Sequence, residues 1–276
     1  MLEQLYDPSW LERRASAGFV LGLSYSVIGI ATAVALFPKS PGLASVAFTS
    51  LLLVPTLNRM LSIEEKQAAD TKGSLLSPFR NHSDIISVYL FIFLGILLAY
   101  SMLSLVIPNI AATDFFGQQL SVAGLTGKAY ATQGLLANIL VNNLIILALC
   151  TIIALVYGSG AIFLLAWIAS VWGSIFALIA KNSAAAAGTS PLAYFALTII
   201  LVFPHMILEA GGYFLGVITG GIMSKAALKE TSRKKRLRKV AVDAAIMMAL
   251  ALCLLIVAAL IEVYITRNTF RMFRLI

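Results

Sequence analysis

The sequence predicts an all-α fold, a multi-pass transmembrane helical bundle of about seven membrane segments. Three observations predict it. Of the 276 residues, 60% are hydrophobic and only 12% charged, whereas soluble domains run nearer half apolar and a quarter charged. The apolar residues gather in long uncharged runs, and about 20 such residues cross the hydrocarbon core as a helix. The charges that remain collect between these runs, above all in "SKAALKETSRKKRLRK", and leave a net charge of +8.

Taken in order, Met1–Ser16 is expected to be an interfacial segment, with Leu2, Leu5, Tyr6, Trp10 and Leu11 available to lie on the bilayer surface. It is not expected to be a cleaved signal, because the apolar run behind it exceeds a typical signal core and acidic residues flank it. Residues 17–58 form a helical hairpin from the runs Ala17–Phe37 and Leu43–Leu57, the second short enough to be re-entrant. Residues 59–84 are charged and are expected to be a cytoplasmic loop, partly helical at most. Residues 85–276 form the main membrane bundle, from the runs Ile85–Ile107, Leu136–Tyr157, Gly160–Ala180, Leu192–Met223 and Val240–Ile265. Only "YGSGA" joins the second and third of these five, which predicts a tight helical hairpin. Pro108–Gly134 is a long outer connection with few charges, and loops of that kind are often functional. Asn182–Pro191 is a turn of small residues. Cys150 and Cys253 both fall inside spans and read as small apolar residues rather than a disulfide.

Orientation follows from the Lys/Arg distribution. With the N-terminus cytoplasmic, the inner segments hold Arg13, Arg14, Arg59, Lys66, Lys72, Arg80 and the cluster at 225–239. The outer segments hold Lys39, Lys128, Lys181 and the tail residues Arg267, Arg271 and Arg274, which pull against that assignment. The expected location is the cell membrane, multi-pass, N-terminus inside. The basic cluster is read as a topology signal facing anionic lipid. It lacks interleaved aromatics and a folded domain, so no nucleic-acid partner is expected.

The stretch "FPHMILEAGG" raises the functional question, since it places a histidine and a glutamate one turn apart inside an apolar run. A helix turns about 100° per residue, so His205, Glu209, Gly212, Gly216 and Gly220 share one stripe. Glycine ladders let another backbone approach closely in lipid, so this face looks into the protein. Pro204 cannot donate to the carbonyl of Ile200 and predicts a kink; a break near Gly211–Gly212 would also shorten the long run. A second ladder, Gly18, Gly22 and Ser26 with Gly29 nearby, reads as ordinary helix packing. Asn138, Asn142 and Asn143 open the fourth span, and asparagines in hydrocarbon need partners. They are candidates to bond His205, Glu209 or the carbonyl freed by Pro204. The His205–Glu209 pair is equally readable as structural glue or as a functional site.

Enzyme chemistry finds no support. The chain has two histidines, His82 and His205, and no zinc-type His-Glu-x-x-His sequence. "YGSG" is not a Gly-x-Ser-x-Gly elbow, and Ser159 and His205 are expected at different depths. Two ligands are too few for a closed zinc site. The expectation is no catalytic residue, no metal and no cofactor.

The block "NNLIILALCTIIALVYGSGAIFLLAWIASVWGSIFA", followed by "FPHMILEAGGYFLGVITGGIMS" and "AALIEVYIT", resembles the stage II sporulation protein M family, in its archaeal-type branch. The resemblance covers roughly Asn138 to Thr266 and carries over Asn142, Asn143, Gly158, Gly160, Pro204, His205 and Glu209 as motif positions. Met206 departs from the glycine common after the histidine. Sporulating-bacterial members anchor a cell-wall-remodelling complex, so the resemblance implies a non-catalytic membrane scaffold or assembly protein. Its expected partners are the lipid bilayer, membrane or extracytoplasmic proteins, and further copies of itself. The residues alone also admit a small transporter or channel using the His-Glu pair.

Overall fold

A computed structural model describes residues 14–70, 82–121, 135–228 and 234–273. Most of the expected interfacial segment and most of the outer loop, Lys128 included, lie outside the described residues, as does the centre of the basic cluster. The described residues are helical throughout, with no strand among them: α1 Ala17–Leu36, α2 Pro41–Asp70, α3 Ser83–Val106, the short α4 Asn109–Phe115, α5 Leu135–Tyr157, a 3-10 turn Gly158–Ala161, α6 Ile162–Ala187, α7 Pro191–Leu228, α8 Lys234–Ile261, a π-helical turn Glu262–Thr266, and α9 Arg267–Met272.

Among the described residues, six stretches are long and apolar enough to cross a membrane: Ala17–Leu36, Pro41–Glu64, Ser83–Val106, Leu135–Ala187, Pro191–Ala227 and Val240–Phe270. The expected seven differ at one place only, because the fourth stretch contains both α5 and α6. The expected short second segment is not short. Its helix runs on through Pro55, Asn58 and Arg59 to Asp70, so part of the expected loop at 59–84 is helix. Polar side chains interrupt the apolar run there without interrupting the backbone ladder.

Small residues set the N-terminal packing. Gly18, Gly22, Ser26, Gly29 and Ala33 are the buried stripe of α1. Gly18 and Gly22 lie against the backbone of Val88 and Ile92 on α3, whereas Gly29 lies against Ser45 and Thr49 on α2. Gly95 of α3 answers them by admitting the backbone of Phe19 and Leu23. Without water exclusion to drive helices together, close backbone packing is what lipid leaves available. The opposite face of α1 shows Val20, Val27, Ile28 and Val34 to the outside. Residues 17–58 are therefore packed into the same bundle as the rest.

The centre is built by α3 and α7. Phe93 of α3 meets Trp172 of α6 at 5.5 Å and Phe214 of α7 at 5.4 Å between ring centroids, both edge-on, an arrangement favoured by ring quadrupoles. Tyr100 donates to Ser45 Oγ at 2.9 Å, tying α3 to α2. Helix α7 packs against α5, α6 and α8. Leu147 and Thr151 of α5 meet Gly216, and Thr151 and Ala154 meet Gly220, so α5 and α7 run parallel. Helix α6 starts beside the 3-10 turn at the level of Ser224 and ends against Phe195, so it runs antiparallel to α7. The chain thus reverses at "YGSGA", as expected, but α5 and α6 do not form the tight hairpin that the short turn suggested. Helix α5 makes its main contacts with α7, whereas α6 packs against α3 and α7 together. Gly158 is buried with φ +58°, a left-handed conformation that favours glycine, and this is what allows the reversal in four residues.

Helix α7 holds 38 residues in one piece, with Pro204 inside it. The expected break near Gly211–Gly212 is absent. At about 1.5 Å per residue the helix is roughly 57 Å long, so it tilts or extends beyond the ~30 Å hydrocarbon layer. Opposite ends of the bundle are pinned differently. At one, Lys181 Nζ donates to the carbonyls of Ser104 (3.1 Å) and Ile107 (2.7 Å), closing the end of α3. At the other, His82 pairs with Glu64 and Lys225 donates to Asn58 Oδ1.

Candidate functional site

Residues 205, 209 and 213 recur every fourth position on α7 and face one way. His205 and Glu209 are each 8% exposed and point into the protein as the stripe predicted, and Tyr213, which the stripe did not include, is 1% exposed beside them. Their hydrogen bonds are not the expected ones. His205 Nδ1 lies 3.0 Å from Thr266 Oγ1. The Tyr213 hydroxyl donates to Glu209 Oε1 at 2.7 Å. A second carboxylate, Glu262, interacts with Glu209 through charge.

Thr266 and Glu262 come from the π-helical turn that follows α8. Single π turns inside α-helices are rare and frequent at functional sites. This one runs antiparallel past α7 and presents its first and last residues, Glu262 and Thr266, to Glu209 and His205. The result is a polar seam between α7 and the end of the last long helix. Three of its five members, Tyr213, Glu262 and Thr266, were not singled out from sequence. The signals were present: Tyr213 stands one turn after Glu209, and Glu262 is an acidic residue within the apolar run "AALIEVYIT".

The asparagines stand elsewhere. Asn143 is buried, but its Nδ2 has no hydrogen-bond partner, so it donates to neither His205 nor Glu209. Asn142 is exposed on the outer face of α5, and its amide nitrogen reaches Asn143 Oδ1 at 3.5 Å. One residue is about 100° of helix, enough to turn one inward and the other outward. Pro204 is exposed on α7. Met206 is 2% exposed and packs into the main core, filling with side chain a place where a glycine would leave room for backbone.

The glycine ladder serves two neighbours instead of one. A Cβ on Gly212 would meet Leu255 of α8, with Cδ2 at 2.9 Å. On Gly216 it would meet Leu147 Cδ1 at 2.6 Å and Thr151 Oγ1 at 2.9 Å, both on α5. On Gly220 it would strike the carbonyl of Thr151, with Ala154 Cβ at 2.8 Å and Leu155 N at 3.0 Å. Gly160 sits in the 3-10 turn beside Tyr157. Ser159 is also in that turn, at the level of Ser224. His205 is 19 residues back along α7, roughly 28 Å away at helical rise, so the two do not form a dyad.

A second buried polar contact was not foreseen. His82, read as a loop residue, caps the start of α3 at 0% exposure, and its Nδ1 pairs with Glu64 Oε2 near the end of α2. Its Nε2 is buried without a hydrogen-bond partner. Among the described residues, no group of three or more His, Cys, Asp or Glu side chains is arranged to hold a metal ion.

Residues 85–267, more than half of the chain, match the family model described as Stage II sporulation protein M. The match begins well before Asn138, where the motif resemblance began, and takes in α3 and α4. It includes the whole polar seam: His205, Glu209, Tyr213, Glu262 and Thr266 all lie inside it. No curated protein and no solved structure matches the chain.

Proposed function

The chain belongs to the stage II sporulation protein M family, and from that premise we propose that it is a non-catalytic integral membrane scaffold or assembly protein. The observation that carries this reading is the state of the intramembrane pair. His205 and Glu209 are buried, and each is held by a neighbouring hydroxyl, from Thr266 and Tyr213. The Tyr213–Glu209 bond lies within α7, and the His205–Thr266 bond crosses from α7 to the turn after the last long helix; a buried polar group satisfied across a helix boundary fixes one packing of the two. A group that carries ions across must instead exchange partners with water. In this reading the protein sits in the cell membrane with its N-terminus and basic cluster cytoplasmic, and takes protein partners at its outer or inner loops.

A second reading is a small transporter or channel. The charge interaction between Glu262 and Glu209 favours it, because ionisable residues within a membrane commonly mark proton or ion pathways. Reconstitution into liposomes with an internal pH-sensitive dye separates the two. The scaffold reading expects no proton or cation flux above that of empty liposomes, and no change when His205→Gln and Glu209→Gln are combined. Flux that depends on the pair would overturn it. Cross-linking in native membranes, followed by identification of the proteins joined to the loops, tests the assembly role directly.

A further inference from the structure

The outer face of helix α5 is apolar except at its start, where Asn138 and Asn142 interrupt it. Asn138, Asn142, Ile145, Leu149, Ile152 and Val156 are all exposed, with Ile145 at 55% and Ile152 at 57%. Their spacing alternates four and three residues from end to end. That is the heptad seam of a left-handed helix pair, where the a and d positions meet a partner. The buried face of the same helix, Ile139, Asn143, Leu147, Cys150 and Ala154, is already occupied by this chain's own helices.

Depth makes Asn142 informative. The register that sets Leu147 against Gly216 and Ala154 near Gly220 puts Asn142 level with Gly211, close to the middle of α7. It is therefore within the hydrocarbon layer and not at a wet rim. Its one described hydrogen bond is the long contact to Asn143. An amide has two donor hydrogens and an accepting oxygen, so most of its capacity faces outward.

We propose that the protein is a two-fold dimer through α5, with Asn142 of each copy hydrogen-bonded to Asn142 of the other. A second copy fits this face for two reasons. An amide is complementary to itself, donor to acceptor in both directions. All copies also cross the membrane in one orientation, so a two-fold axis along the membrane normal makes the two α5 helices parallel and brings Asn142 to its own equivalent at the same depth. The apolar positions Ile145, Leu149, Ile152 and Val156 then continue the seam. This inference holds whether the protein is a scaffold or a transporter.

The test is disulfide cross-linking of the full chain in its own membrane, in a background with Cys150→Ala and Cys253→Ala. Single cysteines at Asn142, Ile145 and Leu149 should form dimers on mild oxidation, whereas Ala148→Cys, on the flank of the exposed face, should not. Asn142→Leu should weaken dimerisation by at least about 3- to 20-fold, the range for one of the two interhelical hydrogen bonds it removes, and Asn142→Gln should largely restore it. If Asn142→Leu fails to fold, the cysteine series still decides. Absence of dimers at positions 142, 145 and 149, dimers without the four-three periodicity, or capture of a different protein at these positions would overturn the proposal.

Discussion

Adding one methyl group at Gly220 and at Gly216 should have unequal effects, and the inequality tests how α5 and α7 meet. At Gly220 the new Cβ would lie 2.8 Å from Ala154 Cβ and 3.0 Å from Leu155 N, and closer still to the carbonyl oxygen of Thr151. Comfortable carbon–carbon contact begins near 3.5 Å, so the helices must separate by roughly 0.7 Å or more. Two of those obstacles are backbone, and an alanine Cβ cannot rotate away. Overpacking of this kind costs about 1–3 kcal/mol, offset by up to ~1 kcal/mol from the better helix propensity of alanine. The net expectation for Gly220→Ala is a loss of about 1–2 kcal/mol. At Gly216 the nearest atoms are side-chain tips, Leu147 Cδ1 at 2.6 Å and Thr151 Oγ1 at 2.9 Å. They can rotate, so the loss and the propensity gain should nearly cancel, to within ~0.5 kcal/mol. Unfolding midpoints of the two variants in one detergent, followed by tryptophan fluorescence, give the comparison. A Gly220→Ala protein as stable as the parent, or a Gly216→Ala protein less stable than it, would refute the backbone-contact account.

Other substitutions probe the polar contacts. Tyr213→Phe removes the donor to Glu209 and should cost about 1–3 kcal/mol, read from the same unfolding midpoint; combining His205→Gln with Glu209→Gln should keep the helical circular-dichroism spectrum, since both amides still bond. His82→Ala leaves Glu64 buried without its partner and should cost about 3–5 kcal/mol, whereas changing both to apolar residues should cost much less, a contrast that a double-mutant cycle measures. Lys181→Met removes the cation that closes the end of α3 and should cost about 0.3–1 kcal/mol, seen as faster amide exchange at Ile107 and its neighbours if the loss is local.

Period and composition carried the architecture. The runs of uncharged residues located every long helix, because in lipid each helix must satisfy its own backbone and so leaves an unbroken apolar record. The hundred-degree rule correctly turned His205 and Glu209 inward. What the rule could not supply was the neighbour. It placed Gly212, Gly216 and Gly220 on one face, yet an 80-degree stripe is wide enough to touch two helices, and Gly212 went to α8 while the others went to α5. The asparagines were misjudged for a related reason: being polar in a span argues for a partner but does not say on which side, and Asn142 points away from the core. Thr266 has no signal because a π turn leaves no periodic trace; Glu262 stands out as an acid in an apolar run, but that does not name Glu209 as its neighbour; and a polar loop sequence conceals that His82 folds back onto Glu64.

The dependence of α5 on α7 has a consequence for biogenesis. A chain leaving the ribosome delivers α5 and α6 to the membrane before α7 has been made. Helix α6 can settle at once against α3, which is already in the membrane, but α5 makes its main contacts with α7 and not with α6. It must wait, laterally loose beside the translocon, until Pro191–Leu228 arrives. The nascent protein therefore passes through a stage in which α5 is inserted but unassembled, and a chain that stops after Ala187 would be held there for good.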